Sequence, residues 1–332
     1  MKKGLFYSLP LLLLALLPVV VKAQLVDGTP AVVPSLPTTY HFDPWEDQSI
    51  DGINRLPAHA TAYSYGNIKD ALTGDREKSG RMMSLNGYWD FQYSPMPADT
   101  PAGFYKSRVH GWKKIIVPGD MEMQGYGRPI YKSAIYPFRP VNPPHMPTTD
   151  NSVGNYQRTF TIPNSWKNMN IVLHFGAVSS GFKVWLNGKF VGYGEDSFLP
   201  SEFNITPYLQ PGKNILSVRV IRWTSGYFLE DQDQWRLSGF HREVMLLAQP
   251  KLHIADFFYQ TKLDKDYKDA MFELRPRIEN LTGKRAYGCK LEVQLYDKND
   301  EPVFKKPLEK SVESILNEIY PRLGNVKFAL ME

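Results

Sequence analysis

Two short runs concentrate the side chains that could do chemistry. The first, Gly194-Glu195-Asp196-Ser197-Phe198-Leu199-Pro200-Ser201-Glu202-Phe203, crowds three carboxylates into a proline-bounded loop. The second, Tyr227-Phe228-Leu229-Glu230-Asp231-Gln232-Asp233-Gln234-Trp235-Arg236, adds three more beside a tryptophan and an arginine. A positioned pair of carboxyl groups can serve as nucleophile and general acid/base. The plainer reading is that loop acids cap turns, pair with arginines such as Arg222 and Arg236, or face solvent. Trp223 and Trp235 have faces that can stack on a ligand ring, although packing is the plainer role for both. The single cysteine, Cys289, excludes an intrachain disulfide and a cysteine-based zinc site.

The acidic runs need a frame, and the sequence around them reads as strands. Phe182-Lys183-Val184-Trp185-Leu186 and Lys189-Phe190-Val191-Gly192-Tyr193 flank Asn187-Gly188. Asn-Gly between alternating residues is a strong hairpin signal, because a type I′ turn needs positive φ at both central positions. Ser84 to Tyr93 reads as a turn entering an alternating strand that puts Trp89, Phe91 and Tyr93 on one core face. Ile115-Ile116-Val117 reads as a short buried strand. Further strands are predicted over 156–162, 170–175, 214–223 and 241–248. Residues 136–147 carry too many prolines for a central strand and read as a stiff, partly polyproline-like loop that holds Asn142 at a fixed angle. His59, in Asn54-Arg55-Leu56-Pro57-Ala58-His59, reads as a hydrogen-bonded packing histidine.

Composition agrees with an all-β chain: aromatics are 13%, and 26 prolines with 24 glycines suit many strands joined by turns. Residues 1–23 read as a secretion signal, with Lys2 and Lys3 before an apolar run from Leu5 to Val21 and a small residue, Ala23, at the cut. Removing it leaves 36 basic and 34 acidic residues, which gives no case for nucleic acid. No other segment can cross a bilayer as a helix, and export without disulfides fits the periplasm. The boundaries predicted are a signal at 1–23, an extended arm at 24–61, a jelly-roll β-sandwich at 62–249 and an immunoglobulin-like sandwich from 250 to 332. That last domain falls short of the roughly 100 residues such sandwiches need.

Read together, the Asn54-to-His59 arm, the Val141-Asn142-Pro143-Pro144 run, Gly192-Tyr193-Gly194 leading to Asp196 and Phe203, and the Glu230-to-Arg236 run resemble the large β-galactosidases of glycoside hydrolase family 2. The resemblance covers about residues 44–332. Departures are local: Asp47 stands where the family usually has Asn, and Pro118-Gly119-Asp120-Met121-Glu122 where Pro-Ser-Asn-Trp-Gln is common. The resemblance implies that Asp196 contacts the galactosyl hydroxyls of a β-galactoside and helps ligate Na⁺, and that Asn142 hydrogen-bonds the same sugar. A carboxylate and an amide suit several hydroxyls, and hard oxygen ligands suit Na⁺.

The resemblance also implies a retaining mechanism with two carboxyl groups about 5–5.5 Å apart on a (β/α)₈ barrel. Such a barrel takes about 250 residues and has no counterpart in this sequence. No catalytic residue is therefore expected in this chain. The Mg²⁺ ligands belong to the same missing barrel, so Mg and Na are expected only for the complete enzyme, a homo-oligomer. Two other accounts stay open: a stand-alone carbohydrate-binding sandwich, and a subunit that complements a separately made barrel.

Overall fold

The computed structural model describes residues 43–133, 135–230, 232–313 and 326–327. The predicted signal, the front of the arm, Asp231 and the final residues 328–332 lie outside the described residues. In chain order the sandwich strands are β1 (Gly52–Ile53), β2 (Met82–Ser84), β3 (Gly87–Ser94), β4 (Lys113–Val117), β5 (Val153–Thr161) and β6 (Asn170–Phe175). They continue as β7 (Gly181–Leu186), β8 (Lys189–Gly194), β9 (Ser201–Asn204), β10 (Lys213–Ile221) and β11 (Val244–Gln249). The α-helix that lies wholly within the described residues, Ile68–Leu72, is short. The chain is all-β.

Two antiparallel sheets face each other. The larger runs β1-β8-β7-β10-β5-β3-β4 and the smaller β9-β6-β11-β2. Alternation decides what each strand gives to the space between them. Leu216, Val218 and Val220 of β10, with Trp89 and Phe91 of β3, meet Leu173, Phe175, Phe203 and Leu246 of the smaller sheet in one core. Burying each such side chain contributes about 1.5–3 kcal/mol. The indole N–H of Trp89 is not stranded there, because it donates to the Leu85 carbonyl at 2.8 Å. This is the predicted jelly-roll sandwich, and the β7–β8 hairpin turns at Asn187 and Gly188 with φ of 52° and 81°.

Two local expectations need correction. Ile115 and Val117 are buried but Ile116 is 46% exposed, because successive side chains of β4 point to opposite faces and only the inner face is packed. The proline-rich loop, read as partly polyproline-like, is not extended through Asn142–His145. It turns on itself where His145 N–H donates to the Asn142 carbonyl at 2.9 Å. Phe138 and Met146 anchor it in a second apolar cluster with Trp45, Trp223 and Tyr227.

The arm joins the sandwich as strand β1. Gly52 pairs with Gly194 and Ile53 with Tyr193, and beyond the ladder Leu56 N–H donates to the Glu202 carbonyl at 2.8 Å. Gly192 permits this approach: a Cβ there would stand 2.5 Å from the Ile53 carbonyl oxygen. After β11 the chain forms β12 (Leu252–Leu263), β13 (Ala270–Asn280), β14 (Lys290–Val293) and β15 (Leu308–Ser311). β12 pairs with β13, β14 pairs with β15, and Val326–Lys327 adds to β13. Ile278, Ala286, Leu291 and Val312 make a small core of their own.

Candidate functional site

The two acidic runs lie in connections that leave two strands of the larger sheet with β7 between them. One joins β8 to β9, and the other follows β10 through a 3-10 turn at Ser225–Leu229. Asp196 sits in the first with φ of 84°, a conformation uncommon for a residue with a Cβ. It lines a groove of about 510 Å³ between the arm and the sandwich, together with Asp51, Arg55, His59, His174 and Glu202. Asn142 lies outside the residues lining this groove and is exposed on its turn. The structure therefore puts the two sequence-predicted residues on separate loops, one in the groove and one beside solvent.

Glu202, buried on β9, joins the arm to the smaller sheet. One oxygen takes His59 Nε2 at 2.8 Å and the other takes His174 Nδ1 at 2.7 Å. Burial pushes its carboxyl up, but the hydrogen bonds and charge of the two histidines overrule this and hold it at about 2. The same bond to Glu202 raises His59 to about 9 against its partial burial. His59 Nδ1 is 2.8 Å from the Ala60 carbonyl oxygen, so the packing role expected for it comes with a buried acid partner.

Glu195 has the opposite environment. Its carboxyl is buried and accepts from the Tyr193 hydroxyl, from Gly226 N–H at 2.6 Å and from the Ser225 hydroxyl at 3.3 Å. All three donors are neutral, and burial lifts the carboxyl to about 7 despite them. Glu230 accepts from Ser197 N–H at 2.8 Å and from the Ser197 hydroxyl at 2.5 Å. Burial raises Glu230 too, and the nearby charge of Asp196 adds to the rise.

Both arginines are buried beside these loops. Arg236 is buried and holds its loop by carbonyls, donating to Glu230 O at 2.8 Å and Lys132 O at 3.2 Å. Arg222 lies 3.4 Å from Glu122, an acid outside both runs, whose carboxylate also accepts from the Ser238 N–H and hydroxyl. Trp223 is packed, with its indole N–H on the Asp150 carbonyl at 3.0 Å. Trp235 is 59% exposed beside Tyr131. Glu195, Glu202 and Glu230 appear in the sequence as plain loop acids. Apart from Tyr193, two residues before Glu195, the partners described stand 28 to 143 residues away, and no local pattern announces them.

Hard cations take about six or more oxygen ligands. Among the described residues there is no group of three or more His, Cys, Asp or Glu side chains arranged to hold a metal.

Residues 82–250 match the family model described as "Glycosyl hydrolases family 2, sugar binding domain". A β-galactosidase of Priestia megaterium is 40% identical over 262 residues, which is 77% of this chain and 25% of that protein. One from Halalkalibacterium halodurans is 38% identical over 257 residues, 76% of this chain and 25% of the relative. The chain thus spans about a quarter of the length of the curated relatives it matches. Among solved structures, Bifidobacterium dentium β-glucuronidase superposes with a TM-score of 0.55 at 18% identity, over 75% of this chain and 41% of that one. Bacteroides uniformis β-glucuronidase 2 gives 0.53 at 22%, over 75% and 26%. At these identities the structures speak to the fold alone. With the sandwich, the family-model match and the relatives in agreement, the chain belongs to glycosyl hydrolase family 2, of which it carries the sugar-binding domain.

Proposed function

We propose that this chain supplies the sugar-binding sandwich of a retaining β-galactosidase whose catalytic carboxyl pair is carried on a barrel outside it. The observation that carries this reading is the 40% identity to a β-galactosidase across three quarters of the chain, spanning both acidic loops. In this reading Asp196 accepts hydrogen bonds from galactosyl hydroxyls at the mouth of the groove. Asn142, with both a donor and an acceptor, meets the same sugar from the proline-rich loop once the barrel closes the site. In this reading Glu195 and Glu230 are structural acids, whose oxygens take internal donors.

The test is complementation. The purified chain is mixed with the remaining three quarters of the Priestia megaterium relative, made separately, and β-galactoside hydrolysis is followed. Activity that appears on mixing, and falls at least tenfold with Asp196→Ala, supports the reading. Hydrolysis indifferent to Asp196, or restricted to β-glucuronides, sinks it. A second reading is a stand-alone galactose-binding module, whose ligand would sit in the groove of about 510 Å³ that Asp196 lines. Saturable binding of methyl β-D-galactopyranoside to the chain alone would select it. Export to the periplasm belongs to the same proposal, and a mature N-terminus at Gln24 would support it.

A further inference from the structure

Asp196 sits between two fastened residues. Before it, Glu195 N–H donates to the Asp51 carbonyl at 2.9 Å, and the Glu195 carbonyl accepts from Arg55 at 3.0 Å. The Glu195 side chain crosses to the other acidic loop and takes Gly226 N–H and the Ser225 hydroxyl. After it, Ser197 is gripped from that same loop by both oxygens of Glu230. Each loop thus lends a glutamate to the backbone and a hydroxyl of the other. Gly226 has no side chain at the crossing, where a Cβ would lie 2.3 Å from Glu195 Oε2.

From this exchange we infer that Glu195 and Glu230 are positioning residues, which together hold Asp196 at positive φ and so fix where its carboxylate enters the groove. A free loop would let Asp196 relax to a commoner backbone basin, whereas pinned neighbours on both sides leave it none. The burial that raises both glutamates fits acids devoted to internal donors. The inference rests on the reading of Asp196 as the sugar contact only for its consequence, not for the clasp itself.

The test uses the whole chain and amide hydrogen exchange resolved by NMR. The amides of Ser197 and Gly226 donate to side-chain carboxylates, so their protection reports the clasp and not a strand ladder. Glu230→Ala is expected to speed exchange at Ser197 about tenfold, the loss of one charge-assisted bond. It should also average the Asp196 backbone coupling, with Val184 and Val218 in the strands unchanged. Glu230→Gln, which keeps an acceptor, should restore most of the protection. Should Glu230→Ala fail to fold, Ser197→Ala removes one hydroxyl and is read at Asp196 in the same way.

An Asp196 that keeps its backbone coupling in Glu230→Ala, or strand amides that lose protection along with Ser197, overturns the inference. Titration with methyl β-D-galactopyranoside separates the two ideas. A clasp that behaves as expected without sugar-induced shifts at residues 195–198 supports the positioning and sinks the sugar reading. Shifts there with a loop indifferent to Glu230 do the reverse.

Discussion

Glu195 and Glu202 stand on the two sides of one loop, both buried, and they titrate in opposite directions. Removal from water pushes each carboxyl upward, and it is the largest single influence on both. Glu202 ends at about 2 because two histidines supply charge as well as hydrogen bonds. Glu195 ends at about 7 because a phenol, a backbone amide and hydroxyls supply hydrogen bonds without charge. Depth does not decide the state of a buried acid; the charge of its partners does. The two sites differ in purpose accordingly. Around Glu202 an ion network staples the arm to the smaller sheet, while around Glu195 a neutral web ties two loops together.

The largest expected effect breaks the charged side of this contrast. Glu202→Ala leaves two histidines without their acid and should cost about 3 kcal/mol in urea unfolding at pH 6. That is the lower end for a buried pair, since both rings keep some contact with solvent. A loss below about 0.5 kcal/mol would show the network to be idle. Its pH profile follows from the signs. Glu202 is depressed from 4.5 to about 2, so its contribution is present above 4.5 and lost as pH falls toward 2. His59 is raised from 6.5 to about 9, so its contribution is present below 6.5 and lost as pH climbs toward 9. These flanks measure one coupling from both ends, and the plateau between 4.5 and 6.5 should vanish in Glu202→Gln.

Glu195 sharpens the comparison from the neutral side. Its raised carboxyl gives stability that is full below 4.5 and lost as pH rises through about 7. Subtracting the unfolding profile of Glu195→Gln from that of the parent chain should isolate this loss, on the order of 2 kcal/mol. A flat difference curve would mean that Glu195 is an ordinary acid. Gly226→Ala attacks the same web sterically and should destabilise by about 1–2 kcal/mol, since its new methyl must displace the Glu195 carboxylate or the loop. The smallest effect is reserved for Trp235→Ala. Half exposed and touching chiefly Tyr131, it should change stability by less than about 0.5 kcal/mol in the isolated chain. A larger loss would show that Trp235 packs more firmly than its exposure implies.

The frame was more legible in the sequence than the clasp. Alternation and Asn187-Gly188 located the central hairpin because strand period and turn chemistry are local properties. Trp89 and Phe91 could be placed on the core face for the same reason. Ile116 could not, since whether the outer face of a strand is covered depends on which segments arrive from elsewhere in the chain. The acids of the two runs were visible as candidates, and Asp196 could be singled out through a family resemblance. Which acid would be buried, and against what, was hidden. Ser197 meets Glu230 33 residues away and His59 meets Glu202 at a separation of 143, contacts that exist only once the sheets have formed.

The two-residue pairing of β1 with β8 has a further consequence, for how the molecule avoids its own kind. Strand β8 would otherwise end the larger sheet with a row of open backbone donors and acceptors, a template on which a foreign strand can dock. Gly52 and Ile53 occupy part of that row, and the Asn54 side chain caps another acceptor by donating to the Val191 carbonyl at 2.8 Å. A version of the chain begun after Arg55 should therefore self-associate with rising concentration through Lys189–Gly194, whatever becomes of its groove. The arm serves as much to keep copies apart as to hold the fold together.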